Sequence, residues 1–298
     1  MKSGAPVSNG TEPMRAGPIG PPPGAPRARV VAGLNLVAAL VIVGLMLLPL
    51  YWAVVTSLKT LQQSYAIPSS LVPPTPTFAA YSEVLHTQGG ALATSLVIAV
   101  GATLLSLLIA VPAAFALASF RFRITGIVTL VLLVTQTIPG IVLGISFFKI
   151  FADVHLLNSY PGLIIADSTY CVPFDILVIR AFMIGLPHEL IEAARVDGAS
   201  NLGALLRVVV PLSRPAILAA ALFSFLFAWG DFLFALTLTT SDAVVPMSLS
   251  IYKYLGEYTS QWPDLMAAAI FAAIPSGILL VLVQRGIRGG IATAGLKG

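Results

Sequence analysis

Five long apolar stretches without a single Asp, Glu, Lys or Arg constrain this chain more than any other feature. They are residues 30–58, 84–120, 124–148, 215–230 and 265–284. A helix needs about 20 mainly apolar residues to cross the hydrocarbon core of a bilayer, and in lipid only helices and closed barrels satisfy their backbone polar groups. Only 9% of the residues are charged and 57% are hydrophobic, whereas a soluble domain has about 25% charged residues. The chain is therefore predicted to be an all-α integral membrane protein.

A sixth span is predicted between the third and fourth of these stretches, although its apolar run carries Asp167, Asp175 and Arg180. Without this span, the last basic loops would fall on the outer side of the membrane. The six predicted spanning helices are residues 30–57, 91–119, 124–150, 160–184, 213–239 and 265–285.

The basic residues predict the orientation, because cytoplasmic loops collect Lys and Arg. An N-terminus in the cytoplasm places thirteen of the sixteen basic residues on that side and leaves Lys59, Lys149 and Lys253 outside. Both termini and the 185–213 loop are thus predicted to be cytoplasmic, in a multi-pass protein of the cell membrane. The net charge of +4 follows from this topology and gives no reason to expect nucleic acid as a partner.

The two ends of the chain are predicted to be tails. Residues 1–29 are rich in Gly and Pro with few large apolar side chains, which is typical of a disordered segment. The membrane domain is predicted to cover 30–288, with a cytoplasmic tail at 289–298. The first apolar run is too long for a signal-peptide core and is interpreted as a retained anchor. Cys171 is the only cysteine, so the redox compartment cannot be read from cysteine pairing.

The sequence contains no motif for ATP binding, metal binding or nucleophilic catalysis that the chain could use by itself. No lysine follows a glycine, so the Gly-Lys-Ser/Thr phosphate loop is absent. His86, His155 and His188 are far apart in different predicted loops and are not expected to converge on a metal. No serine lies in a Gly-x-Ser-x-Gly elbow. The chain is predicted not to be an enzyme and to hold no cofactor of its own.

Ionisable residues within spans are costly in lipid and usually face protein or water. Asp167, Asp175 and Asp231 are of this kind, and Asp231 follows Trp229 and Gly230 in the fifth span. Asp175, Trp229 and Asp231 are candidates for a translocation pathway, although a structural polar contact is the preferred interpretation of Asp231.

Small and kink-forming residues add a weaker signal within the spans. Gly140 and Gly144 have the spacing that allows close helix packing, and packing within the chain is preferred here over dimerisation. Helix-breaking prolines suit alternating access but are common in membrane helices. They are Pro49, Pro112, Pro139, Pro173 and Pro275.

The 185–213 loop is charged, and its pattern predicts two short helices. Pro187 suits a first turn, the acids come early and Arg195 late, as the helix dipole favours. Asp197 and Gly198 end the first helix, and Ser200 can cap a second helix that runs to Leu206. Pro211 and Pro215 then end the unit. Such a loop is either a handle for another protein or a segment lying along the membrane.

The sequence of this loop then identifies a family. Glu-Ala-Ala-Arg-Val-Asp-Gly-Ala-Ser at 192–200, followed by Val-Val-Pro-Leu-Ser-Arg-Pro at 209–215, resembles the EAA loop of ABC importer permeases. The resemblance is to the carbohydrate-uptake branch, with the maltose transporter's inner-membrane permease, and covers nearly the whole chain after residue 35. Further matching stretches include Thr56 to Lys59, Ala113 to Arg123, Leu132 to Gly140, Trp229 to Phe232 and Gly295 to Gly298.

The resemblance implies a type I importer fold and a role for the loop as the coupling helix that docks on an ATP-binding subunit. The residues that would carry this coupling are Glu192, Ala193, Ala194, Asp197, Gly198 and Arg207. Lys297 in the tail would be a further contact with the ATPase. The implied partners are a second, different permease, a dimer of ATPase subunits that binds ATP and magnesium, and an extracytoplasmic solute-binding protein.

The chain differs from the family pattern at two places, and the sequence leaves open alternatives for the solute and for the class of protein. Relatives commonly have Asn-Glu where Gly230-Asp231 stands here, and many have Asn where Thr94 stands. The expected solute is a sugar or oligosaccharide, with a phosphorylated glycerol compound or another polar solute as the alternative. A different class of protein, an ion-coupled secondary transporter, would use Asp167, Asp175 or Asp231 as its ion site. An intramembrane enzyme would need a catalytic residue that the sequence does not nominate.

Overall fold

The structure is a computed structural model that describes residues 25–119, 124–257 and 261–294, and all regular structure in these three segments is helical. Side chains are described for residues 31–119, 124–252 and 261–285. The helices are α1 (Ala25–Ser57), α2 (Leu61–Ser64), α3 (Ala79–Ser119), α4 (Thr125–Thr135), α5 (Gly140–Asp153), α6 (Tyr160–Ile184), α7 (His188–Val196), α8 (Asn201–Ala204), α9 (Val210–Leu212), α10 (Arg214–Gly230), α11 (Leu233–Leu238), α12 (Met247–Glu257) and α13 (Trp262–Ala294), with a π-helical segment at Leu205–Val209 between α8 and α9.

The described helices give four to six candidate membrane crossings by length and composition. Within the described residues, α1, α3, α6 and α13 are each long and apolar enough to cross a membrane, and α6 has the predicted bounds. Two bent helix pairs each count as one further candidate: α4 and α5 meet at 94°, and α10 meets Asn201–Leu212, the end of the 185–213 loop, at 82°. With each bent pair counted as one span, the prediction of an all-helical protein with six spans is confirmed.

Three helices extend beyond their predicted ends. Helix α1 begins at Ala25, α3 begins at Ala79 rather than 91, and α13 continues to Ala294 rather than ending at 285. Counting uncharged residues locates the part of a helix that crosses the lipid, but a helix can continue into water with charged side chains such as Glu83 of α3. Residues 25–29, predicted as part of the tail, are therefore helical, and residues 1–24 lie outside the described segments.

Two predicted helices are broken, so the predictions of single helices at 124–150 and 213–239 are wrong. The first breaks between α4 and α5, where Pro139 lacks a backbone N–H and disfavours helical geometry at Ile138. The second breaks after Gly230, where Asp231 has extended backbone angles (φ −63°, ψ 128°). The remaining prolines within spans, Pro112 in α3 and Pro173 in α6 among them, lie inside continuous helices.

The chain divides into two compact units, residues 1–51 and 52–298. In the first unit, every side chain from Val31 to Leu50 is exposed on the isolated chain. The second unit is built around α3, α6 and α10. A stripe of fully buried small residues on α3 lets the neighbouring helices approach closely, which is how membrane helices gain packing energy without a hydrophobic effect. The stripe consists of Ala99, Ala102, Ser106, Ala110 and Ala114.

Two polar side chains organise loops at the end of α6 opposite to α7. Asn158 adopts a left-handed backbone (φ 54°), and its side-chain oxygen accepts hydrogen bonds from the backbone N–H groups of Thr240 (2.7 Å) and Ser241 (2.8 Å). Lys59 is only 2% exposed, and its Nζ donates to the Ser70 carbonyl at 2.7 Å. Each side chain thus holds a loop that carries little regular structure of its own.

Candidate functional site

The first helix of the 185–213 loop ends as the sequence predicts. Helix α7 runs from His188 to Val196, with Glu189 in its first turn and Arg195 in its last. Gly198 has φ +86°, its N–H donates to the Arg195 carbonyl at 3.0 Å, and the Ala199 N–H donates to the Ala194 carbonyl at 2.9 Å. These two bonds and the left-handed glycine form a Schellman motif, which satisfies the last carbonyls of the helix.

The second helix begins at the predicted cap but does not stay α-helical to Leu206. The Ser200 hydroxyl accepts a hydrogen bond from the Gly203 N–H at 3.1 Å, which confirms Ser200 as the N-cap. The chain then changes to π-helical geometry at Leu205–Val209 before the short helix that contains Pro211. Arg195 Nη2 donates to Asn201 Oδ1 at 2.9 Å and links the two halves of the loop.

One side of α7 is anchored to the membrane domain and the other is exposed. Ile191 is 7% exposed and packs in a cluster with Leu205, Val209 and Met183. Ala194 is half-buried at the edge of this cluster. The other residues proposed for coupling have exposed side chains or, for the glycine, an exposed position: Glu192, Ala193, Asp197, Gly198 and Arg207. The loop therefore presents a rigid, partly charged surface, to which Val196 adds an apolar side chain that is 88% exposed.

Asp175 lies in the centre of the second unit. It is fully buried, and its Oδ2 accepts hydrogen bonds from the hydroxyls of Ser106 and Ser224, each at 2.6 Å. The three residues therefore join α3, α6 and α10. Its Oδ1 is buried without a hydrogen-bond partner among the described residues, as is the Oδ1 of Asp167 two turns earlier on α6. Asp175 thus makes structural contacts between helices, and neither aspartate pairs with the other.

Removal of a hydroxyl group that donates to Asp175 should lower the stability of the protein. We expect Ser106→Ala to lower the free energy of unfolding by about 1–3 kcal/mol, because it removes one of two donors from a buried carboxyl group. The melting temperature of the purified protein in detergent measures this effect. Ser146→Ala is the matched control, since Ser146 is exposed and its hydroxyl donates only to the Val142 carbonyl of its own helix. Equal melting temperatures for the two variants would contradict the bridging role of Asp175.

Asp231 and Trp229 also make structural contacts, at the break that follows α10. The Asp231 carboxyl group accepts hydrogen bonds from the backbone N–H groups of Ala235 (3.1 Å) and Phe234 (3.4 Å), so it caps the start of α11. Trp229 is 8% exposed, and its Nε1 donates to the Ala272 carbonyl of α13 at 2.9 Å. Asp231 thus makes the structural contact that the sequence analysis preferred, and a role of Asp175, Trp229 and Asp231 in a translocation pathway stays a prediction.

Two substitutions of Asp231 test whether its carboxyl group caps α11 or binds an ion. We expect Asp231→Asn to retain transport, because an asparagine oxygen can still accept from the α11 backbone, whereas Asp231→Ala should cost about 1 kcal/mol of stability. Solute uptake and melting temperature measure the two effects. If Asp231→Asn abolished uptake while the protein remained folded, a charged carboxylate would be required and the ion-coupled alternative would regain support.

The second halves of the two broken helices pack against each other. A Cβ atom on Gly140 of α5 would lie 3.3 Å from Leu233 Cδ1 of α11, and one on Gly144 would lie 3.0 Å from Thr237 Oγ1. The prediction that Gly140 and Gly144 serve packing within the chain is confirmed. Gly140 and Leu233 each lie just after a break, so the two breaks are side by side.

A group of four stacked rings lies beside these breaks, and the sequence analysis did not identify it. We call it the aromatic ladder: Tyr170 and Phe174 of α6, and Phe223 and Phe227 of α10. Tyr170 stacks on Phe227 with ring centroids 4.3 Å apart at 8°, and Phe174 stacks on Phe223 at 3.7 Å and 26°. At the break between α4 and α5, Gln136 Nε2 donates to the Tyr170 carbonyl at 3.4 Å. The i, i+4 spacing of aromatic residues on both helices was the available signal, but it does not distinguish a ladder from ordinary core packing.

Comparisons with known proteins agree with this architecture. Residues 106–291 match the family described as binding-protein-dependent transport system inner membrane component. The chain is 33% identical over 267 residues to the sulfoquinovosyl glycerol transport system permease protein SmoH of Agrobacterium fabrum, a match that covers 89% of this chain and 94% of that protein. It is 32% identical over 263 residues to the trehalose transport system permease protein SugB of Mycobacterium tuberculosis, which covers 86% of this chain and 94% of that protein.

A solved structure has the same fold. A chain of a bacterial ABC transporter involved in the import of the acidic polysaccharide alginate superposes with a TM-score of 0.74 at 24% sequence identity, covering 86% of this chain and 96% of that chain. Fold and sequence together define a permease subunit of the type I ABC importer class. The chain belongs to the family of inner-membrane components of binding-protein-dependent transport systems, and the family prediction made from the 185–213 loop is confirmed.

Proposed function

We propose that this protein is the transmembrane subunit of an ATP-driven importer for an uncharged sugar or oligosaccharide. The observation that carries the proposal is the rigid loop of α7 and α8, exposed at one end of a six-span importer fold. A loop closed by a Schellman motif and anchored through Ile191 can transmit a push without bending. Binding of ATP and magnesium by a dimer of separate ATPase subunits would supply that push.

The exposed surface of the loop has the composition of a docking site. Glu192 and Arg207 offer charges, Val196 offers an apolar contact and Ala193 leaves a flat surface. We place this surface and both termini in the cytoplasm, because thirteen of the sixteen basic residues then lie on that side. A second permease and an extracytoplasmic solute-binding protein would complete the transporter. Lys297, proposed as a further ATPase contact, lies outside the described residues.

The proposed solute class rests on relatives and on charge. SmoH is named for sulfoquinovosyl glycerol, whose sulfonate group is anionic, and SugB is named for trehalose, which is uncharged. The relatives therefore support a sugar solute and leave its charge to be argued from this chain. On α6, the spanning basic residue is Arg180, whose Nε donates to the Leu117 carbonyl at 3.3 Å. It lies ten positions beyond Tyr170, about 15 Å along the helix. An anionic solute such as a phosphorylated glycerol compound would need a cation nearer the centre of the span, so an uncharged sugar is favoured.

Uptake by membranes that carry the transporter tests this proposal. The solutes would be labelled trehalose, sulfoquinovosyl glycerol, an alginate oligosaccharide and glycerol 3-phosphate. We expect uptake of trehalose or another uncharged sugar that requires ATP and persists when ionophores collapse the ion gradients. Uptake that stops with the ionophore and continues without ATP would identify an ion-coupled carrier instead. Uptake of glycerol 3-phosphate alone would overturn the sugar assignment, and uptake of sulfoquinovosyl glycerol or the alginate oligosaccharide without trehalose would overturn the assignment of an uncharged solute.

Affinity purification of the tagged chain tests the partners independently. We expect a soluble ATPase and a second permease to accompany it in mild detergent. Recovery of this chain alone after crosslinking, with full uptake in the same membranes, would contradict the multi-subunit importer.

A further inference from the structure

A narrow apolar groove runs along the second unit between α3, α10 and α13. Its volume is about 430 Å³, and apolar side chains from all three helices line it. The single polar residue of the lining is Thr103, whose hydroxyl donates to the Ala99 carbonyl of its own helix at 2.7 Å. The groove therefore offers no free hydrogen-bond donor to a sugar or to water, and it suits an apolar occupant.

The width of the groove suits an acyl chain and is too small for a helix. Along α10 the groove extends from Leu218 to Phe225, which at 1.5 Å per residue is about 10 Å, so its mean cross-section is about 40 Å². An α-helix with its side chains is about 10–12 Å across, which corresponds to roughly 80–110 Å². An extended acyl chain is one methylene group wide and fits this space. Because lipid tails are as apolar as leucine, selection of one lipid over another must come from the headgroup.

Two arginines continue the walls of the groove at one end. Arg214 begins α10 and precedes Leu218 by four positions and Phe225 by eleven, which places the three residues on one helix face. Arg285 of α13 follows Ile278 by seven positions and shares its face in the same way. Both guanidinium groups are exposed, and within the described part of the chain neither has a hydrogen-bond or ion-pair partner. Two positive charges thus lie where the apolar walls end.

We propose that this groove binds an anionic phospholipid of the cytoplasmic leaflet, with one acyl chain between α3, α10 and α13 and its phosphate group at Arg214 and Arg285. Basic residues between spanning helices on the cytoplasmic side are typical of sites for anionic headgroups. The first turn of α10, which contains Arg214, adds the positive end of a helix dipole and also favours a phosphate. The leaflet follows from the orientation proposed above, whereas the site itself depends neither on that orientation nor on the identity of the solute.

Photocrosslinking of the assembled transporter tests whether an acyl chain enters the groove. The transporter, with its partner subunits, would be reconstituted into phosphatidylcholine vesicles that contain phosphatidylglycerol with a diazirine group in one acyl chain. Mass spectrometry would then locate the crosslinked residues, which we expect among those that line the groove. Ala221→Phe should lower the crosslinking yield at least about fivefold, because Ala221 lines the groove and a ring at this position would fill it. Ala219→Phe is the matched control and should crosslink as the wild type does, since Ala219 is exposed and lies about 200° around α10 from Ala221, outside the groove.

The same measurement tests recognition of the headgroup. A phosphatidylcholine probe with the same diazirine chain should crosslink in the groove at least about fivefold less than the phosphatidylglycerol probe. Arg214→Gln and Arg285→Gln should each lower the yield with the phosphatidylglycerol probe at least about threefold. Lys149→Gln is the control for loss of a positive charge, because Lys149 is equally exposed but lies on α5, which does not line the groove. Its yield should not change.

The opposite outcomes would overturn the proposal. Equal yields in Ala221→Phe and Ala219→Phe would mean that the acyl chain lies outside the groove. Equal yields with the two probes, or unchanged yields in both arginine variants, would mean that no anionic headgroup is recognised. Absence of groove crosslinks in the wild-type transporter would mean that another subunit covers this face. Each of these results would leave the proposed importer function intact, because solute uptake is measured separately.

Discussion

Gly162→Ala is expected to prevent the protein from folding in the membrane. A Cβ atom at this position would lie 2.2 Å from the carbonyl oxygen of Leu156 and 3.1 Å from the hydroxyl of Ser159. The clash is with backbone rather than with a flexible side chain, so the first turn of α6 or the preceding loop would have to move. The same turn is held by the Ser159 hydroxyl, which caps α6 by accepting from the Gly162 N–H at 3.1 Å.

Two other glycines provide matched controls for Gly162. A Cβ on Gly101 would come within 2.6 Å of Ile164 Cδ1, the end of a flexible side chain, and a Cβ on Gly126 would meet nothing within 4 Å. Membrane expression and melting temperature in detergent should therefore rank Gly126→Ala near wild type, Gly101→Ala lower, and Gly162→Ala lowest with little folded protein recovered. A Gly162→Ala variant as stable as Gly126→Ala would contradict the close approach of α6 to the Leu156 carbonyl.

Gly198→Val is expected to uncouple sugar uptake from ATP hydrolysis while leaving the protein in the membrane. Space is not the constraint, since a Cβ at this position would meet nothing within 4 Å. The constraint is φ +86°, which costs most L-residues about 1–2 kcal/mol and is an outlier for a β-branched side chain. The Schellman bonds that close α7 would then break, and the loop would lose its rigidity. We expect at least about a tenfold loss of uptake, with ATP hydrolysis retained.

Two control substitutions test whether the backbone conformation at Gly198, and not the change of side chain itself, is responsible for the loss of uptake. Gly198→Asn should keep uptake within about twofold of wild type, because asparagine tolerates the left-handed conformation. Gly185→Ala is a control at the other end of the loop, where φ is −78° and a Cβ would be 3.4 Å from the nearest atom. Equal uptake by Gly198→Val and Gly198→Asn would count against a coupling role for the rigid turn.

The features of this protein that depend on local chemistry were predictable from the sequence. Uncharged apolar runs located five of the six spans, because lipid rejects charge and unsatisfied backbone regardless of what lies nearby. The sixth followed from the distribution of basic residues between the loops. The end of α7 at Gly198 and the cap at Ser200 were predicted correctly, since both depend on residues within one turn of each other. The family followed from the same loop.

The sequence alone did not determine where helices break or what the buried polar residues contact. Pro112, Pro139 and Pro173 all lie in apolar runs, yet the chain bends at Pro139 and not within α3 or α6, because neighbouring helices decide whether a lost hydrogen bond is compensated. The sequence did not show that Asp175 accepts hydrogen bonds from Ser106 and Ser224, which are far away in the chain. The aromatic ladder likewise exists only because α6 and α10 pack side by side. Composition and local patterns determined the class of this protein and the order of its spans, because each depends on residues close together in the chain. The pairing of distant helices decided which polar side chains are buried in contacts between helices and which stay exposed.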